Sequence, residues 1–145
     1  MSGVAVTLTV SLRHRESELV PPVILVVDDD DPVRVMLARL LRTQGYDVLQ
    51  AANAGEARRL VANQRPDLVI SDIVMPGESG IELRRHLAAM WPELPVILIS
   101  GYSAEGPAEF AARTSNTTFV QKPFAADQLL VLVEQTLATE QGSGV

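Results

Sequence analysis

The residues best equipped for chemistry stand where apolar runs stop. Asp28 and Asp29 follow VILVV, Asp72 follows LVIS, Ser100 follows PVILI, and Lys122 follows the run that ends at Gln121. Singly, each position is ordinary. Brought together, they would set three carboxylates, a hydroxyl and an ammonium around one point. Crowded carboxylates repel, and one takes up a proton unless a cation neutralises them. Oxygen-only donors suit a hard ion such as Mg2+ or Mn2+, and Mg2+ is commonly shared between carboxylates, waters and phosphate oxygens. Lys122 can pair with Asp72 or grip a phosphoryl oxygen, and Ser100 can donate to a second one. A metal, a lysine and a hydroxyl around one carboxylate is the equipment of phosphoryl transfer, where catalysis is mostly positioning and charge neutralisation.

The elements that must bring these groups together are readable from periodicity. Val23–Val27 is a continuous apolar run, as expected for a strand buried on both faces of a parallel sheet. Val33, Leu37, Leu40 and Leu41 recur at helical spacing, and that segment stops near Gly45. Asp47–Ala51 reads as a second strand. Asn53 is placed to cap the next helix, with Glu56 three residues on as a capping box and Ala57, Leu60 and Val61 as its inner stripe. Leu68–Ile70 is a third strand, ending at Ser71-Asp72. A turn-rich MPGESG precedes a helix carrying Ile81, Leu83, Leu87 and Met90. Pro95–Ile99 is a fourth strand, residues 104–113 are an alanine-rich helix, and Thr118–Gln121 is a short fifth strand. Leu129, Leu132, Val133 and Leu137 form a last amphipathic helix, and Gln141–Val145 reads as a frayed end.

Strands alternating with helices of this length predict an α/β fold: an open five-stranded parallel sheet with helices on both faces, flavodoxin-like. In open sheets the chemistry lies beyond the carboxyl ends of the strands. All five chosen residues fall at that edge, delivered by four different strands. Their convergence is what distinguishes them.

Composition bounds the alternatives. The 145 residues predict one domain, with 47% apolar and 21% charged residues. A net charge of −6 argues against a nucleic-acid face. The absence of cysteine excludes disulfides and thiolate chemistry and fits a cytoplasmic setting. No run is long enough to span a bilayer, and MSGVAVTLTVSL lacks the cationic flank and cleavage site of a signal peptide.

Four segments, ILVVDDDDPVR from Ile24 to Arg34, PDLVISDIVMPGESG from Pro66 to Gly80, LPVILISGYS from Leu94 to Ser103 and FVQKPF from Phe119 to Phe124, resemble the receiver (response-regulator) domain of two-component signalling. They stand in family order over roughly residues 22–139. The resemblance implies that Asp72 is the phosphoacceptor, Asp29 a direct Mg2+ ligand, Asp28 a partner acting mainly through metal-bound water, and the Val74 carbonyl a further ligand. It makes Ser100 the switch hydroxyl, Lys122 the family lysine and Phe119 the aromatic switch, with a cis Lys122-Pro123 bond. The implied donor is a histidine kinase or histidine phosphotransfer protein. The face formed by the helix over 104–113, the fifth strand and the last helix would then change shape, in a monomer or weak dimer.

Plainer readings stand beside these. Asp30 or Asp31 caps the first helix, with Pro32 in its first turn. Ser100 also reads as a turn residue and Phe119 as core. His14 and His86 read as solvated. Gly101 and Tyr102 follow the switch Ser and could shape access to the phosphate. The apolar Val74 offers no group to orient a hydrolytic water, which predicts slow self-dephosphorylation. A haloacid-dehalogenase-type phosphatase would need D-x-D with its nucleophile on the first strand, and a flavodoxin-like cofactor site would need a phosphate-cradling loop where Asp28–Asp31 stand. A pseudo-receiver docking module does not require the full acid–Ser–Lys set. Residues 4–12 alternate as a strand ahead of a polar linker, so 1–21 reads as an extension resembling the last strand of a histidine-kinase ATP-binding domain. That would make residues 22–139 the receiver of a hybrid kinase, with 140–145 a disordered tail.

Overall fold

The computed structural model describes residues 20–101 and 115–142. Five strands, β1 (Val23–Val27), β2 (Asp47–Ala51), β3 (Leu68–Asp72), β4 (Val96–Ser100) and β5 (Thr117–Gln121), form one all-parallel sheet in the order β2-β1-β3-β4-β5. Four helices are described: α1 (Asp31–Thr43), α2 (Ala54–Asn63), α3 (Gly80–Met90) and α4 (Ala126–Gly142). The alanine-rich helix expected over 104–113, Tyr102, the N-terminal strand and His14 lie outside the described residues.

Alternation along the strands sorts the core into two clusters. Leu25, Val27, Val69 and Leu98 point to the face covered by Ala57 and Val61 of α2 and Leu83 and Leu87 of α3. Ile24, Val26, Ile70 and Ile97 point to the other face, against Leu37 and Leu41 of α1 and Leu129, Val133 and Leu137 of α4. Successive side chains leave opposite faces of a strand, so an unbroken apolar run is what a sheet covered on both sides requires. Helices on both faces are thus observed.

The caps fix where each helix begins. The Asp30 carboxylate accepts the Val33 N–H at 3.2 Å, which makes Asp30 the cap of α1, with Pro32 in its first turn. Asn53 accepts from the Glu56 N–H at 2.9 Å, while the Glu56 carboxylate reaches past the cap to the Ala52 N–H at 2.6 Å. Ser79 caps α3 through the Glu82 N–H at 3.2 Å. Gly45 leaves α1 with φ +91°, a conformation that side chains with a Cβ disfavour.

The ladder shifts some expected limits. β3 runs on to Asp72 because Asp72 pairs with Ile99, and β5 starts at Thr117 because that residue pairs with Val96. The last helix continues through Glu140 and Gln141 to Gly142, into the expected tail. Alanine, glutamate and glutamine are good helix formers.

Candidate functional site

At the tip of β1 the chain turns through Asp28, Asp29 and Asp30 into α1. Asp28 is buried, at 2% exposure, and Asp29 is exposed. The Asp28 N–H donates to the Ala51 carbonyl at 3.1 Å, extending the contact with β2 by one residue. Its Oδ1 accepts the Asp30 N–H at 2.9 Å, which leaves Oδ2 toward the neighbouring strands. A short acidic side chain bonded to the backbone two residues on is a local turn that the sequence alone can build.

Asp72, half-buried at the tip of β3, is held by its backbone. The Ser71 hydroxyl donates to the Asp72 carbonyl at 2.9 Å, and the Gly80 N–H donates to the Ile73 carbonyl at 2.9 Å. Gly80 presses against this segment so closely that a Cβ there would lie 2.2 Å from the Asp72 carbonyl oxygen. No side chain fits. The glycine is therefore part of the acid's placement, a role that no local sequence signal reveals.

β4 and β5 supply the hydroxyl and the ammonium. Ser100 is buried at its strand end, and its carbonyl accepts the Lys122 N–H at 2.7 Å. Lys122 Nζ lies 3.8 Å from Asp72 Oδ2 and 4.0 Å from Asp28 Oδ2, an electrostatic neighbour of both acids rather than a hydrogen-bonded partner of either. The Lys122-Pro123 bond is cis. Phe119, paired with Leu98 in register, packs partly buried against the α2–α3 cluster.

The three carboxylates meet. One oxygen from each of Asp28, Asp29 and Asp72 lies within 4.8 Å of the others. Burial pushes the Asp28 carboxyl above the usual range, and Asp29 and Asp30 push the same way against the Asp30 N–H and Lys122. Burial likewise raises Asp72, with Lys122 pulling it down and Asp28 and Asp29 pushing it up. An octahedral ion with oxygens at about 2.1 Å spans roughly 4.2 Å between opposite ligands. The cluster is of that size, is all oxygen, and carries repulsion that a cation relieves, so the residues fit a hard divalent ion. Val74 is 59% exposed beside Asp72.

The remaining candidates fall to one side. His86 is exposed, with its Nδ1 3.0 Å from Glu78 Oε1; Glu78 also bonds to Arg58 of α2. Gly101 is exposed at the end of β4. Among the described residues, no helix is long and apolar enough to cross a membrane.

A five-stranded parallel sheet in the order 2-1-3-4-5, with acids on β1 and β3 and a lysine on β5 at one edge, defines a receiver-type module. The family model for the response regulator receiver domain matches residues 24–134, and the chain belongs to that family. It is 31% identical over 121 residues to the phosphate regulon transcriptional regulatory protein PhoB of Pseudomonas aeruginosa, covering 82% of this chain and 53% of that protein. It is 36% identical over 118 residues to the nitrogen assimilation regulatory protein NtrX of Azorhizobium caulinodans, covering 80% of this chain and 26% of that one. The chain thus spans about half or less of the length of these relatives. A CheY-like receiver domain protein from Methanospirillum hungatei superposes with a TM-score of 0.80 at 27% identity, over 85% of this chain and 98% of that one. The receiver domain of the hybrid histidine kinase CckA superposes at 0.67 with 38% identity, over 79% and 98%. A phosphoacceptor role in two-component signalling fits the family, and neither a dehalogenase-type phosphatase nor a docking-only module is favoured.

Proposed function

We propose that Asp72 is the residue phosphorylated and that its donor is a phosphohistidine on a kinase or histidine phosphotransfer protein. An O–P bond forms on the Asp72 carboxylate while the N–P bond of the donor breaks, the imidazole nitrogen leaving with the electron pair. Asp28 and Asp29, with Asp72 and the Val74 carbonyl, would hold Mg2+, or Mn2+ in its place. When bound, that ion supplies neutralisation of the charge on the transferring group. Lys122 provides a fixed positive charge at the same place, and Ser100 a hydroxyl for a phosphoryl oxygen. The observation that carries this reading is the juxtaposition of Asp72 with two further acids and one ammonium at a single sheet edge.

Phosphate adds about −1.5 to −2 charges at Asp72. Ser100 would be the switch hydroxyl, at the tip of the strand beside β3, and Phe119 its aromatic companion on the next strand, so the output surface would lie around β5 and α4. The donor would approach over the acid loop, where Val35 and Met36 of α1 expose apolar surface beside it. A monomer or weak dimer acting in the cytoplasm is consistent with this use, without nucleic-acid or membrane contact by this segment. A hybrid-kinase parent is supported by the alternating residues 4–12 and by the likeness to the CckA receiver, and the length of the parent reading frame tests it.

The main test is acetyl phosphate with Mg2+. Wild type is expected to incorporate phosphate and to bind beryllofluoride, and Asp72→Asn to do neither, a loss of at least about 100-fold, or roughly 2.7 kcal/mol of barrier. Labelling that persists in Asp72→Asn sinks the assignment. With Val74 offering no polar group, the phosphoryl group is expected to last minutes; a half-life of seconds would remove that part of the reading.

A further inference from the structure

Arg34 lies one turn into α1, beyond the acids it influences. Its side chain is only 14% exposed, and one nitrogen of its guanidinium does two things. It donates to the backbone carbonyl of Asp28 at 2.8 Å and pairs with Asp31 Oδ1 at 2.7 Å. The ordinary account is an i,i+3 pair in the first turn of a helix, which stabilises modestly and needs only a positive charge. That account covers Asp31 and leaves out Asp28. The reach back to a carbonyl at the end of β1 closes the turn from strand to helix, because Arg34 N–H also donates to the Asp30 carbonyl at 2.9 Å. With Asp28 Oδ1 already taken by the Asp30 N–H, both ends of Asp28 are held.

We propose that Arg34 is a positioning residue for the acidic loop: it locks the Asp28 backbone so that the Asp28 and Asp29 carboxylates stand ready for a divalent ion and, with it, for phosphorylation of Asp72. The proposal rests on the reading of these acids as the cation site. Partners that orient the direct ligands of a metal commonly change its affinity by about 10–100-fold when lost.

Charge and position make opposite predictions here. If Arg34 acted only as a cation, deleting it would remove repulsion and tighten Mg2+ binding. If it positions the acids, its loss weakens binding although a positive charge has gone.

Calorimetric titration of the metal-free chain with Mg2+ alone separates these cases, with thermal unfolding in EDTA to check the fold. Arg34→Met is expected to bind Mg2+ about tenfold more weakly or worse while unfolding cooperatively. Arg34→Lys, which keeps the charge and part of the reach, should recover part of that loss. Asp31→Asn, which removes the ion pair and leaves the carbonyl contact, should stay within about threefold of wild type. Unchanged or tighter binding by Arg34→Met overturns the proposal, and so does an equal loss in Asp31→Asn. Asp29→Asn serves as the reference. If it weakens binding while Arg34→Met does not, the positioning role alone fails; if Asp29→Asn binds like wild type, the cation-site reading itself fails.

Discussion

Asp67 and Asp72 flank the same strand, and their circumstances are opposite. At the amino end of β3, Asp67 Oδ2 accepts the Val23 N–H at 2.7 Å, and its own N–H donates to the Val23 carbonyl at 2.7 Å. Its carboxylate is used up in tying β1 to β3. At the carboxyl end, Asp72 faces two other acids and an ammonium too distant to hydrogen-bond with it. Burial and like charge raise its proton affinity. An aspartate's role in this sheet is thus set by which end of a strand carries it. At the amino end the Asp67 carboxylate meets a backbone donor of the neighbouring strand and, among the described residues, no charged rival; at the carboxyl end the strands bring Asp72 against other charges.

Substitutions can break or sharpen that contrast. The largest effect is expected at Gly80, whose replacement by alanine drives a Cβ into the Asp72 carbonyl. Overpacking of this kind costs about 1–3 kcal/mol, and urea unfolding of Gly80→Ala should show it together with slower labelling by acetyl phosphate. Wild-type stability in that variant would mean that the segment after Asp72 yields freely. Next comes Asp67→Ala, which orphans the Val23 N–H and should cost roughly 1–2 kcal/mol, with labelling at Asp72 unchanged. A loss of labelling there would erase the distinction between the two ends.

The smallest effect is the pH response. The folded-state pKa values of Asp28 and Asp72 lie above their ordinary values near 3.8, so between the ordinary and raised values the folded state holds protons that the unfolded state has released. Stability from these groups is therefore present at low pH and lost as pH rises through the raised values. In EDTA, the melting temperature should fall across that window by an amount that Asp72→Asn reduces. Mg2+ should flatten the profile. An EDTA profile identical in wild type and Asp72→Asn would show that neither burial nor the neighbouring acids raise the Asp72 carboxyl.

Much of this was legible in the residues because it is local or periodic. Unbroken apolar runs announced β1, β3 and β4, the tip positions of Asp28, Asp72 and Ser100 followed from them, and Asn53 announced its own cap. What stayed hidden depends on contacts between distant segments. Nothing around Gly80 says that the Asp72 carbonyl lies against it, and nothing around Arg34 says that it reaches back to β1. The pairing of His86 with Glu78 needs the fold of the loop before α3. The limits of β3 and β5 are set by partner strands rather than by their own composition. The roles of Asp29, Val74 and Phe119 came from family likeness, because an exposed acid, an exposed valine and a packed phenylalanine carry no such meaning alone.

The sheet also separates two bodies of side chains that do not share a boundary except through its backbone. Leu41 and Val133 on one face, and Leu83 and Leu87 on the other, belong to different clusters. Energetic cross-talk between faces should then be weak: a double-mutant cycle on Leu41→Ala and Leu87→Ala should close to within about 0.5 kcal/mol. A cycle on Leu83→Ala and Leu87→Ala, within one cluster, should not. The domain would behave thermodynamically as two half-cores laminated to a shared plate, each free to accumulate substitutions without consulting the other.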